Sequence, residues 1–160
     1  LDTTGGYRKL IDFKNRGSDT GFYNLNGALN FYNVAGGASA FTAGQSAHIV
    51  ITRDDTTDLF NAYVDGVLGM SFTDSGNLAT FSATDNIIHF LRDDAATSGE
   101  ATSGFLDYVR IYDGVLTATE VLSLSEGGSP PGPSVAVPEP APIAILGLAL
   151  IGLALRRKIA

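Results

Sequence analysis

Residues 143–155 form an unbroken apolar run near the end of this 160-residue chain, and they divide it into parts that cannot share one solvent. No polar face interrupts the run, so it does not fit the surface of a water-soluble body. Leu, Ile and Ala support a helix there, and Gly147 and Gly152 are tolerated in membrane helices. Before it, Pro138, Pro140 and Pro142 keep the chain extended, because proline fixes φ and removes a backbone donor. After it come Arg156, Arg157 and Lys158. A basic flank stays on the cytoplasmic side of a membrane. A transmembrane helix is therefore predicted over 141–155, with a cytoplasmic C-terminus and everything before it exported. Such a helix spans roughly 22 Å against a hydrocarbon core of about 30 Å. A span this short suits a signal that is cut and discarded better than a permanent anchor.

The order Val137-Pro138-Glu139-Pro140, apolar helix, Arg156-Arg157-Lys158 resembles the PEP-CTERM sorting signal. The resemblance implies an exosortase-type membrane protease as partner, with cleavage near Pro138-Glu139-Pro140. It also implies transient anchoring in the inner membrane, then a place at the cell surface or outside it, in a bacterium that makes exopolysaccharide. Residues 127–136 are rich in Gly, Pro and Ser and read as a linker, so the folded body is expected over 1–126 and the sorting signal over 137–160.

The chain has no cysteine, which excludes disulfides, thiolate metal sites and cysteine nucleophiles. Its net charge is −7, of which Arg156, Arg157 and Lys158 contribute +3, so the remainder stands at −10. A body this acidic, with no basic stripe, repels phosphate backbones and is not a nucleic-acid binder. Leu1 is not a methionine and no signal peptide is visible, so the exported protein is expected to begin upstream of Leu1.

Along the body, strands are expected at 7–13, 21–25, 28–32, 48–52, 59–64, 67–72, 86–91 and 105–112, with a short one near Phe81. Asn26-Gly27 and Asp65-Gly66 each read as a two-residue hairpin turn, whose central positions both need φ > 0. The first turn sets Leu25 opposite Ala28 and Phe22 opposite Phe31. Residues 34–44 are small and read as a loop. The 105–112 strand is expected to be the longest, with Phe105, Asp107, Val109 and Ile111 on one face. Thr117 and Glu120 have capping-box spacing, and Val121, Leu122 and Leu124 follow, so one short helix is predicted. Short strands at even intervals make this an all-β chain, an antiparallel two-sheet sandwich of jelly-roll type.

His48-Ile49-Val50-Ile51-Thr52-Arg53, Tyr63-Val64-Asp65-Gly66, the run from Gly104 through Asp107-Tyr108-Val109-Arg110-Ile111-Tyr112 to Asp113, and the Leu116-Thr117 to Glu120-Val121 close form a recurring set. Together they resemble the laminin-G-like branch of the concanavalin A-like lectin/glucanase superfamily. The resemblance implies a twisted jelly roll, often with one bound calcium, that binds carbohydrate or protein at surfaces. Such domains usually carry additional N-terminal strands, so this one is expected to be N-terminally incomplete.

The candidate metal site is the loop 93–100. Asp93, Asp94 and Glu100 repel one another there, and a hard cation such as Ca²⁺ would relieve them, with Thr97, Ser98 and carbonyls as further oxygen ligands. The spacing is not that of an EF-hand. Asp107 is a second candidate ligand, a carboxylate on an apolar strand face that needs a partner. His48 and His89 lie inside expected strands and read as core or sheet-face histidines, each with a satisfied hydrogen bond, rather than as ligands or catalytic groups. Tyr7, Tyr23, Tyr32, Tyr63, Tyr108 and Tyr112 would stack on sugar rings where they face outward, although aromatic residues at strand spacing are more often core. Glucanases of the superfamily cluster carboxylates as E-x-D-x-x-E, a pattern missing here, where the only glutamates are Glu100, Glu120, Glu126 and Glu139. The expected function is therefore a non-catalytic surface or matrix protein that binds glycan or protein. The competing readings are a glycan-cleaving enzyme and a purely structural surface module.

Overall fold

The computed structural model describes residues 1–81 and 86–129. Two antiparallel sheets pack face to face. The first contains β1 (Tyr7–Asp12), β2 (Phe22–Leu25), β3 (Ala28–Phe31), β4 (Ala35–Ser39) and β8 (His89–Phe90), in the order β4-β3-β2-β1-β8. The second is β5 (Ile49–Arg53), β6 (Leu59–Val64) and β7 (Val67–Thr73), in that order.

Both hairpins form as the turn residues dictate. Asn26 and Gly27 adopt φ of 52° and 90°, and Asp65 and Gly66 adopt 50° and 82°. The register sets Leu25 against Ala28 and Phe22 against Phe31, and Val64 meets Val67 across the second turn. Alternation then sends Phe22, Leu29 and Phe31 from the first sheet toward Phe60, Ala62 and Met70 of the second, all of them buried. Phe31 anchors the interface, with ring centroids 5.3 Å from Phe60 and 5.0 Å from Phe72.

The outer face of the second sheet is covered by α1 (Ala118–Ser125). Thr117 caps it as expected: its side chain accepts from the Glu120 amide, and the Glu120 carboxylate accepts from the Thr117 amide. Val121 and Leu124 pack on Val50 and Tyr63. The helix sits directly on the second hairpin turn. A Cβ on Gly66 would lie 2.4 Å from the Ser125 hydroxyl and 2.9 Å from Leu122 Cδ1.

Four expectations about strands are corrected. Residues 35–39, read as loop, form β4, because an edge ladder needs backbone groups rather than bulky side chains. The 86–91 strand shrinks to His89–Phe90, paired only with Asp12 and Ile11. No described residue near Phe81 is in a strand. The 105–112 segment makes no ladder with any described strand, and Phe105 is 96% and Ile111 75% exposed. Its alternation gives it strand propensity, but pairing makes a strand, and propensity alone does not. Asp107 therefore lies exposed rather than on a buried strand face. Among the described residues no helix is long and apolar enough to cross a membrane. The expected helix over 141–155, the sorting motif and the basic stop lie outside the described residues.

Candidate functional site

The site begins with a buried lysine. Lys9 stands opposite Tyr23 in the ladder, on the face of the first sheet turned away from Phe22 and Phe31. Both residues are fully buried. Gly21 makes the space, because a Cβ there would come within 2.8 Å of Lys9 Cε and of the Ile11 carbonyl. Burying an ammonium is costly unless every charge is answered. The Nζ donates to Asp94 Oδ2 at 2.6 Å and to the Ser18 carbonyl at 3.2 Å, meets Asp12 Oδ2 at 3.1 Å, and lies 5.2 Å from the Tyr23 ring centre.

The acidic loop is folded around that ammonium. Asp94 Oδ1 accepts from the amides of Ala96 and Thr97, each at 2.7 Å. Burial opposes ionisation of Asp94, but Lys9 and these amides outweigh it and hold its pKa down at about 2. Asp93 closes the loop by accepting from the Glu100 amide at 2.8 Å. The returning chain then docks on β1, with the Lys9 amide donating to the Glu100 carbonyl at 2.8 Å and the Thr102 hydroxyl to the Lys9 carbonyl at 2.7 Å.

Asp19 completes the cluster. One carboxylate oxygen each from Asp19, Asp94 and Glu100 lies within 4.8 Å of the other two. The Tyr23 hydroxyl sits 2.9 Å from Asp19 Oδ1, and the Thr97 hydroxyl donates to Asp19 Oδ2 at 3.2 Å. Burial, followed by the Asp19 hydrogen bond, pushes the Tyr23 phenol far up, so it stays a donor. Glu100 is pushed up by burial and then by the negative charge of Asp19. Its Oε2 is buried with no hydrogen-bond partner. An orphaned carboxylate oxygen beside a second carboxylate fits a hard cation. Asp94 is already paired with the Lys9 ammonium, whereas Asp19 accepts only from the neutral hydroxyls of Tyr23 and Thr97, so Asp19 and Glu100 are the carboxylates left for a cation.

Of the expected ligands, Asp94 and Glu100 come together, Asp93 serves the loop backbone, and Asp107 lies outside the cluster. Asp19 and Lys9 were missed. Each stands more than 70 residues before Asp94 in the chain, and the loop reaches them through the pairing of β1 with β8 and the backbone bonds of Glu100 to Lys9 and Ala95 to Arg16. His89 Nε2 lies 3.0 Å from Asn15 Oδ1, in keeping with a sheet-face histidine. His48 departs from the expected satisfied histidine: its ring lies 6.1 Å from that of Tyr108, and its Nδ1 is buried without a hydrogen-bond partner. Tyr7, Tyr23 and Tyr32 form a ring cluster with centroids 5.5 to 6.0 Å apart, in which Tyr7 and Tyr32 are half-buried.

The family model of the concanavalin A-like lectin/glucanases superfamily matches residues 2–122. The chain belongs to this superfamily. The PEP-CTERM protein-sorting motif matches residues 136–158. A concanavalin A-like domain followed by that motif is the make-up of an exported protein sorted to the cell surface. No curated protein matches. Among solved structures, the S-layer domain-containing protein (residues 221–444) from Clostridium thermocellum is similar at 21% identity with a TM-score of 0.43. That match covers 78% of this concanavalin A-like chain and 65% of the other.

Proposed function

We propose that this chain is a non-catalytic module of the cell surface or extracellular matrix. In this reading it is a jelly roll that binds a glycan or a protein after an exosortase-type protease removes its tail near Pro138-Glu139-Pro140. The observation that carries the reading is the joining, in one chain, of a concanavalin A-like domain over 2–122 and a sorting motif over 136–158. Its non-catalytic character is supported by the carboxylate cluster. Within that cluster Asp94 is engaged by Lys9 and loop amides and both oxygens of Asp19 by the hydroxyls of Tyr23 and Thr97, so only Glu100 keeps a free oxygen, and one carboxyl is not an acid and nucleophile pair.

Calcium belongs to this proposal at Asp19 and Glu100. There it supplies only charge and oxygen coordination, drawing the 93–100 loop toward the 15–20 loop. Tyr7 and Tyr32 border Tyr23 and offer half-buried rings on which a sugar can stack. An exopolysaccharide is the fitting partner. The test is retention of the mature protein on immobilised polysaccharides, with calcium and with chelator. Calcium-dependent retention without cleavage is expected, and Tyr32→Ala should weaken it. Release of shorter sugars would overturn the non-catalytic reading.

A further inference from the structure

The contact between Lys9 and Asp94 is arranged for more than an ion pair. We propose that the two side chains condense into an intramolecular isopeptide bond that staples β1 to the 93–100 loop. Three buried groups carry this. The Lys9 nitrogen lies 2.6 Å from Asp94 Oδ2, and both side chains are 0% exposed. Asp94 Oδ1 is held by the amides of Ala96 and Thr97, each at 2.7 Å. Paired amides on one oxygen are what stabilises the negative charge that gathers there when a nucleophile adds to the carbon. Asp12 is also 0% exposed, and its Oδ2 lies 3.1 Å from the same nitrogen with no hydrogen-bond partner. Its negative charge beside the nitrogen favours the positive charge that the nitrogen carries once it has added to the carbon.

The atoms balance without any co-reactant. The ammonium passes one proton directly across its 2.6 Å hydrogen bond to Asp94 Oδ2, giving a neutral amine and a neutral acid. The nitrogen lone pair attacks Cγ, and charge collects on Oδ1 under the two amides. A second proton moves from nitrogen to Oδ2, the Cγ–Oδ2 bond breaks, and water leaves. The third proton stays on the amide nitrogen. An ammonium–carboxylate pair has the same composition as an amide plus water. Burial favours the products, because a neutral amide is cheaper to keep from water than two charges. A chain with no cysteine has no disulfide to close such a link.

Intact-mass measurement on the full chain tests this. The folded protein should weigh about 18 Da less than its sequence, the mass of one lost water. A tryptic digest should show no cleavage after Lys9 and one branched peptide joining Lys9 to Asp94. The variants Lys9→Arg and Asp94→Ala should keep their full sequence mass, whether or not they fold. A wild-type protein that melts cooperatively and has its full sequence mass would overturn the proposal. So would a water loss that persists in either variant.

Discussion

Glu100 is the residue at which charge and burial disagree most openly. Burial and the neighbouring Asp19 raise its folded-state pKa, so the folded protein holds a proton there that the unfolded chain releases sooner. The sign follows. Protonation favours the fold, and this contribution is lost as pH rises through the shifted value. With calcium removed, Glu100→Gln should therefore raise the melting temperature at neutral pH. Calcium should stabilise the wild type and not this variant, and its affinity should fall as acidification protonates Glu100. Thermal melts across pH, with calcium and with chelator, read all of these. An unchanged melting temperature in excess calcium would remove the cation from the account. The loop's excess of acid was legible in Asp93, Asp94 and Glu100. Lys9 was not, because a lysine in a strand normally reads as solvent-facing, and only Gly21 and the Tyr23 ring opposite reveal that it is buried.

At the scale of elements, the hairpins and the capped helix followed from local chemistry. Asn26-Gly27, Asp65-Gly66 and the Thr117–Glu120 pair each set geometry within a few residues, so no distant partner was needed. Thr117→Ala should cost about 1 kcal/mol in a denaturant titration. Gly66→Ala should cost more, about 2 kcal/mol, because a strained φ is joined by a clash with Ser125 and Leu122. Gly44→Ala is the control: its φ of 75° is strained as well, yet a Cβ there meets nothing within 4 Å. It should cost about 1 kcal/mol. Phe31→Ala, which empties the contact between the sheets, should cost about 3–5 kcal/mol. The 105–112 segment marks where local reading ends. Its alternation is that of a strand, but whether a strand forms depends on a partner elsewhere in the chain, and no described strand pairs with it. Ala35–Ser39 is the converse, a segment with weak side-chain signal that pairs because β3 presents an open edge.

For the whole molecule, two matches within one chain determine where the body works. A concanavalin A-like sandwich occupies residues 2–122, and the sorting motif occupies 136–158. The division between them was visible in solvent preference alone, because no acidic β body accommodates residues 143–155 as an exposed stretch. The most direct measurement is the C-terminus of the surface-localised protein, determined by mass spectrometry from cells with and without the exosortase-type protease. With the protease, the mature chain should end near Val137 to Pro140 and lack Arg156-Arg157-Lys158, and without it the full tail should remain in the membrane fraction. Surface protein that still ends at Ala160 in cells with the protease would contradict the account.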